Sequence, residues 1–290
     1  MSIRTADAYA RRFTRVFDYI DAHLGEELSV ERLSRVANFS KFHFHRQFSE
    51  YAGISISRYV QLMRLKRASY RLVFSLDSPI IEIAMEAGFE NPESFSRAFK
   101  KTFGQTPSQF RKAPVWESWK AQYPMTKRQR SAPMEVAIVE FEEMAVGVLE
   151  HRGAPETVPD SVRVFIEWRK QSGLSPVETS KTLGVIYHDP KTTEPADFRF
   201  DICGEASGDI PANPQGVERK VIPAGRCAVI RHLGAHDRMG ECIYYLYREW
   251  LPDSGEEPRD FPLFCHYLNL LPETPEHELI TDIYLPLNPR

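Results

Sequence analysis

The chain has 290 residues, of which 42% are hydrophobic and 27% charged, with a formal net charge of −3. At about 100–200 residues per domain that length predicts two domains, and the apolar share excludes a wholly disordered chain. No apolar run approaches the ~20 residues that cross a bilayer, and the opening MSIRTADAYARRF carries Arg and Asp where a signal peptide is apolar, so a cytoplasmic protein without a membrane partner is expected.

The charge divides unevenly. Residues 1–130 hold 22 Lys and Arg against 13 Asp and Glu, and residues 131–290 hold 15 against 27. A basic half joined to an acidic half points to nucleic acid for the first and another purpose for the second. The cysteines (Cys203, Cys227, Cys242, Cys265) all lie in the acidic half without CxxC spacing, so they read as small buried apolar residues.

The basic half reads as helices. Thr5 caps a first one, whose apolar Phe13, Phe17, Ile20 and Leu24 recur at three- and four-residue spacing before Gly25. Ser29 caps VERLSRVA, and Ser40 caps KFHFHRQFSEYA, closed by Gly53. A longer amphipathic helix spans roughly 56–76. Ser78 with Pro79 starts IIEIAMEA, Asn91 with Pro92 starts a helix running to Gly104, and Thr106 with Pro107 opens a last short turn. A repeat runs through this half: Ala37 and Phe39 return as Ala87 and Phe89, and Phe44, Arg46, Phe48 and Gly53 return as Phe95, Arg97, Phe99 and Gly104. Each copy is a short helix, a tight turn and a second helix with an aromatic i, i+4 face, the helix-turn-helix pattern.

Two stretches make the match specific: LSVERLSRVANFSKFHFHRQFSEYAG and IIEIAMEAGFENPESFSRAFKKTFGQTPSQFRK. Through them the segment 11–113 resembles the DNA-binding region of the AraC/XylS regulators. The resemblance implies that Lys41, Phe42, His43, His45 and Arg46 of the first recognition helix, and Asn91, Glu93, Ser94 and Arg97 of the second, lie in or beside major grooves. The chemistry suits base edges, since Arg pairs bidentately with guanine and Phe touches a thymine methyl. Arg64, Lys66, Arg67, Arg71, Lys100 and Lys101 are expected on phosphates. Relatives often carry Gly where this chain has Asn38, and Asn also tolerates a left-handed backbone.

Residues 114–133 read as a linker. Beyond them the pattern turns to period two and runs MEVAIVEF, AVGVLEHRG, helical SVRVFIEWRKQSG, TLGVIYH and DFRFDICG, and then repeats that order to ELITDIYLPL. His151, Gly153 and Ala154 return as His232, Gly234 and Ala235, and Asp201 and Ile202 return as Asp282 and Ile283, at an offset of 81. The expected fold is therefore multidomain: an all-α double helix-turn-helix domain over 1–113, a linker over 114–133, and an α+β domain of two β-β-α-β-β repeats over 134–290.

By its HxGA pair, FRFDICG and TDIYLPL, the second half resembles the GyrI-like effector-binding domain, and the layout resembles that of Rob-type regulators. The resemblance implies a groove between pseudo-symmetric halves that accepts bulky small molecules. Its candidates are Trp168, Tyr187, Tyr244, Trp250, Phe264, Tyr267 and Tyr284, with Tyr187 and Tyr267 expected to face each other. Several relatives place a Glu near Cys265. Its absence here favours a neutral aromatic ligand, with Glu241 or Asp282 as the available counter-charges.

No GxSxG, HExxH, P-loop or GxGxxG occurs, and Gly234 interrupts His232 and His236, so neither a catalytic residue, a metal nor a cofactor is expected. The expected function is a sequence-specific regulator of transcription that binds double-stranded DNA as a monomer and a small hydrophobic or aromatic molecule, with RNA polymerase as a further candidate partner. The alternative is a GyrI-like sequestering or hydrolysing enzyme tethered to DNA.

Overall fold

The computed structural model describes residues 3–120, 122 and 134–289, and the chain divides into two compact units. One holds residues up to 133 with Leu271–His277; the other holds Met134–Leu270 with Glu278–Arg290.

The first unit is helical: α1 (Ile3–Ala22), α2 (Val30–Val36), α3 (Lys41–Ala52), α4 (Ile56–Phe74), α5 (Ile80–Glu86), α6 (Pro92–Phe103), α7 (Pro107–Lys112) and α8 (Trp116–Lys120). Local chemistry sets most boundaries. Ser29, Ser55, Asn91 and Thr106 each accept a backbone N–H of the first turn, and Thr106 with Gln109 forms a capping box. Gly53 and Gly104 end α3 and α6 in the left-handed region, and Asn38 takes φ 53° in the first turn where Gly88 takes φ 76° in the second. Three boundaries differ from expectation. α1 already begins at Ile3, ahead of Thr5; α5 is capped by Pro79 rather than Ser78; and α4 ends at Phe74.

Each helix-turn-helix has its own core. Phe13, Phe17, Phe44 and Phe48 fill one and Phe95, Phe99, Phe103 and Phe110 the other. α4 joins them, giving Ile56, Tyr59 and Val60 to the first and Leu65, Ala68, Leu72 and Val73 to the second. The supposed linker is partly ordered into α8: Trp116 is buried in the second core and the Trp119 indole donates to Ser69 Oγ at 2.6 Å. The basic stretch 127–130 lies outside the described residues.

The second unit is one eight-stranded antiparallel sheet in the order β1-β6-β8-β7-β3-β4-β2-β5. The strands are β1 (Val136–Phe141), β2 (Met144–Arg152), β3 (Thr182–Ile186), β4 (Arg199–Glu205), β5 (Glu218–Ile222), β6 (Gly225–Leu233), β7 (Leu263–Tyr267) and β8 (Ile280–Pro286). β2, β3 and β4 match β6, β7 and β8 at the offset of 81, so the β-β-α-β-β duplication is real in space. The first strand of each repeat pairs with the second strand of the other: β1 lies on β6 and β5 on β2. Helix α9 (Val158–Ser172) serves the first repeat. Helix α10 (Gly240–Tyr245) serves the second and continues through a π turn (Leu246–Trp250) into α11 (Leu251–Ser254).

The HxGA landmarks have a structural task. His151 Nε2 faces the Ala154 carbonyl at 3.3 Å, and His232 Nε2 faces that of Ala235 at 3.0 Å. A carbonyl only accepts, so each Nδ1 is the free acceptor, meeting Ser161 Oγ at 2.8 Å and Cys242 Sγ at 3.6 Å. Both imidazoles are buried and tie the loop after a strand to the helix that follows.

Candidate DNA-reading helices and effector trough

On α3, Phe44 and Phe48 point inward, which leaves Lys41, Phe42, His43, His45 and Arg46 exposed along the other side; Phe42 is 92% exposed. On α6, Phe95 and Phe99 take the inner face and Glu93, Arg97, Lys100 and Lys101 are exposed. Asn91 is exposed but its side-chain oxygen accepts the Ser94 N–H at 2.9 Å, so the carbonyl end of that amide is occupied by capping. Half-buried Ser94 accepts from Arg97 at 3.2 Å. The first recognition helix thus presents the richer set of free donors.

Three of the expected phosphate contacts are structural instead. Arg64 donates through Nε to the Leu24 carbonyl at 2.9 Å and through Nη2 to that of Glu26 at 2.7 Å, and desolvation lowers its pKa. A Cβ at Gly88 would come within 2.8 Å of its Nη1. Lys66 is buried and pairs with Glu276 at 2.9 Å, within the same unit. Arg71 is held by Glu86 and Ser78, each at 3.3 Å. Only Arg67 of the α4 set is exposed. The helical period that makes α4 amphipathic sends basic residues into polar gaps between elements as readily as into solvent.

In the second unit, strand register decides which aromatics meet. Val185 pairs with Phe264 and Phe264 with Tyr284, so these lie on one face together with Tyr187, two residues past Val185. That face is an inner core. Phe264 stacks on Tyr284 at 4.9 Å, and Phe141 and Ile222, from opposite ends of the sheet, join the same cluster, which requires the sheet to curl around it. Tyr187 closes one end of this core. Its hydroxyl donates to Asp201 at 3.0 Å, and the Arg199 guanidinium lies 3.8 Å from its ring centre while forking to Asp201. Burial, and Asp201 beside it, push the Tyr187 hydroxyl well above its usual range.

Tyr267 lies on the other face. It pairs with Thr182, out of phase with Phe264, and belongs to the cluster under α10. The expected pair of facing tyrosines is therefore corrected: at the offset of 81 the mate of Tyr267 is Ile186, and a one-residue shift in a strand reverses the face. Trp168 is core, packed under α9 where a Cβ on Gly147 would touch it at 2.7 Å. Tyr244 donates to the Asp189 carboxylate at 2.8 Å, with Arg248 and Lys191 against its ring. Trp250 is half-buried in the α10 cluster.

On the helix-bearing face, Ile186, Cys265 and Tyr267 of the central strands pack into the cluster under α10. α9 packs on β2 and β4, and α10 on β6, which leaves the central strands β3 and β7 between the helices. Gly184 and Cys265 are both register partners and equivalent positions, so the pseudo-dyad passes between them. A Cβ on Gly184 would lie 2.5 Å from Phe200 Cζ and 2.9 Å from the Tyr267 hydroxyl. The His236 ring stands 4.9 Å from that of Tyr267, and Thr281, its register partner, keeps a buried hydroxyl with no hydrogen-bond partner among the described residues. Burial raises the Tyr267 hydroxyl well above its ordinary value and also raises the Cys265 thiol, so both stay protonated. Asp201 and Asp282 share the inner face, Asp282 in a fork with Arg231 at 2.7 and 2.8 Å, and Glu241 is exposed beside Arg238. Sequence reading missed Gly184, Phe200, His236 and Thr281; a glycine inside an apolar strand was the one available signal.

Comparison with known proteins agrees with this division. Residues 134–288 match the family described as GyrI-like small molecule binding domain, and residues 33–113 match a helix-turn-helix domain. The chain is 46% identical over 154 residues to the probable transcriptional regulator YgiV of Escherichia coli K12, covering 53% of this chain and 96% of that protein. It is 39% identical over 103 residues to the HTH-type transcriptional regulator YbfP of Bacillus subtilis, covering 36% of this chain and 35% of the relative. It is 30% identical over 115 residues to the transcriptional regulator Rob of Salmonella typhimurium, covering 40% and 39%. YgiV is named as a probable regulator of transcription and Rob as a regulator of transcription, and no described helix is long and apolar enough to cross a membrane.

Proposed function

The chain belongs to the GyrI-like family of small-molecule-binding domains, carried here behind an AraC-type helix-turn-helix unit, and from that membership we propose a regulator that reads an asymmetric DNA site as a monomer and takes an uncharged planar aromatic effector in the trough over Gly184 and Cys265. The DNA reading rests on the exposed arcs of α3 and α6. Lys41, Phe42, His43, His45 and Arg46 read bases in one half-site; Arg97, Lys100 and Lys101 act mainly on backbone in the other, where Glu93 can accept only from a base such as the cytosine amino group, with Asn91 and Ser94 ordering the start of α6.

One observation supports the effector reading: at the pseudo-dyad the place of a side chain on Gly184 is taken by the Phe200 ring and the Tyr267 hydroxyl, aromatic groups that a planar effector would displace or stack upon. Small-molecule sites are mostly apolar with a few placed polar groups, and here those groups are the hydroxyls of Tyr267 and Thr281 and the ring of His236. Trp250 serves as wall rather than floor. The inner-face residues Tyr187, Phe264 and Tyr284 hold the sheet's curl, Trp168 anchors α9, and Tyr244 fixes the loop after β3 to α10.

The test is titration of neutral and cationic planar dyes into the full chain, followed by Trp fluorescence, with DNA affinity measured in parallel on a fragment selected from random sequence. Neutral dyes binding below millimolar, competed by each other and weakened in Tyr267→Ala, support the trough. Release of a chemically altered dye would favour the enzyme alternative.

A further inference from the structure

The pseudo-symmetry of the second unit supplies an internal control for its chemistry. At the offset of 81, Ser161 corresponds to Cys242, Phe200 to Thr281, Ile186 to Tyr267 and Pro155 to His236. The first repeat therefore folds with one hydroxyl and three apolar residues where the second carries a thiol, two hydroxyls and an imidazole. These four replacements converge on one place. His232 pairs in register with Thr281, and Thr281 with Tyr267, so the three side chains form a row on the helix-bearing face. Cys242 of α10 meets one end of that row at His232 Nδ1, and the His236 ring stands against Tyr267 at the other.

Thr281, in the middle of the row, is 0% exposed, yet its hydroxyl has no hydrogen-bond partner among the described residues. Its counterpart Phe200 shows that the fold needs no hydroxyl there. A buried polar group left unpaired is costly, and one that folding does not require points to a ligand it can hydrogen-bond. Beside it stands a nucleophile with its base. His232 Nε2–H donates to the Ala235 carbonyl at 3.0 Å, which leaves the Nδ1 lone pair to accept the Cys242 S–H at 3.6 Å. Burial lowers the His232 pKa, so the ring is neutral and able to take that proton. Cys242 is also the cysteine that solvent reaches, 6% exposed against 0% for Cys203, Cys227 and Cys265. It shares the cluster under α10 with Cys265 and Tyr267, so the thiol borders the proposed effector site.

We propose that Cys242 captures a neutral, planar α,β-unsaturated carbonyl compound as a covalent thioether, with His232 as its base and the Thr281 and Tyr267 hydroxyls holding the carbonyl oxygen. The proposal rests on the effector reading and names the reactive class that the site takes. Sulfur bonds to the β carbon, the C=C electron pair shifts to make an enolate, and the thiol proton passes to His232 Nδ1. The enolate oxygen accepts from Tyr267 and Thr281; burial keeps the tyrosine protonated for this task. Return of the proton from His232 to the α carbon leaves a neutral ketone and a neutral imidazole, and no other reactant is consumed.

The test incubates the full chain with benzylideneacetone, an aromatic enone, and follows it by intact-mass spectrometry and peptide mapping. Its saturated analogue benzylacetone, which cannot add, reports reversible binding. One equivalent of enone should add at Cys242, at least tenfold faster than at any other cysteine, and a neutral dye held in the effector site should slow it. Cys242→Ser installs the residue of the first repeat, so it should keep the thermal midpoint and lose the adduct; mapping on the parent decides the site whatever that variant's stability. Thr281→Val and His232→Gln should each slow addition at least tenfold. Labelling spread evenly over the cysteines, or rates unchanged in both of those variants, overturns the proposal. So does addition that the dye leaves unslowed, since capture would then lie outside the effector site. Benzylacetone that competes with the dyes while the enone forms no adduct overturns capture and leaves the effector reading standing. Binding of neither ketone and of no dye overturns both.

Discussion

Arg46 and Arg64 lie on the same unit, yet their surroundings give them opposite tasks. Arg46 is exposed on the outer arc of α3, while Arg64 is directed at two carbonyls between elements. Arg46→Ala should cost about 1–3 kcal/mol on the specific site and relax one half-site, whereas Lys101→Ala should weaken all sequences alike and flatten the salt slope by about one. Equal losses on specific and random DNA would remove Arg46 from base readout. Arg64→Ala should instead lower the melting temperature and leave sequence preference unchanged, because hydrogen bonds from a charged donor contribute about 1.5–3 kcal/mol. In the trough, Tyr267→Ala should weaken dye binding by about 1–2 kcal/mol, while Tyr187→Ala should destabilise the fold with little effect on the bound dye. If Tyr187→Ala proves the stronger binding defect, the site is on the inner face. The histidines give a pH dependence of definite sign. Burial lowers the pKa of His232 and of His266 below the ordinary 6.5, so the folded state favours their neutral forms. Their contribution is present above about pH 6.5 and is lost as pH falls below it. The thermal midpoint of the full chain should drop on acidification through that point, and less steeply in His232→Gln.

At the scale of elements, the exchange of first strands makes the repeats interdependent. β1 finds its partner in β6 and β5 in β2, so a fragment ending after β4 would leave β1 unpaired and β2 with an open edge. Residues 134–215 alone should show no cooperative unfolding transition, and mixing them with 216–290 should restore one. A cooperative transition in the first fragment would mean that β1 can pair within its own repeat. The same interdependence explains what the sequence revealed and what it hid. Helices were readable because caps, periodicity and stop signals act over four residues: Ser29, Asn91, Thr106, Gly53 and Gly104 all do locally what their chemistry suggests. The duplication was readable because it is a matter of order. The proposed effector site was not, because it depends on β3 pairing with β7 across some eighty residues and on which aromatic groups fill the place of a side chain at Gly184. The faces of Tyr187 and Tyr267 differ by one step in phase, which no composition argument resolves. The π turn at Leu246–Trp250 escaped notice for a similar reason. It adds one residue to the second helix, so Gly255 trails Gly173 by 82 while the strands keep their offset of 81.

At the scale of the molecule, two helix-turn-helix units on one chain allow a monomer to engage two successive major grooves, about 34 Å apart, without the two-fold symmetry that a dimer imposes on its operator. Sequences selected from random DNA should therefore be asymmetric, with one protein per duplex by sedimentation; a stable dimer on a palindrome would count against this. The two half-sites should also differ in information. α3 offers Lys41, Phe42, His43, His45 and Arg46, while α6 offers one exposed Arg and a cap whose acceptor is already in use, so the half-site under α3 should be the more sharply defined. Regulation adds a thermodynamic constraint. An effector alters DNA affinity only by the ratio of its affinities for the DNA-competent and DNA-incompetent states, and the coupling is reciprocal. If a neutral dye that fills the trough changes the DNA dissociation constant tenfold, bound DNA must change the dye's dissociation constant by the same tenfold factor. Titrating the dye into the free chain and into the chain saturated with its selected DNA measures that factor directly. A dye that binds both with equal affinity occupies the trough without acting as an effector, however tight its binding.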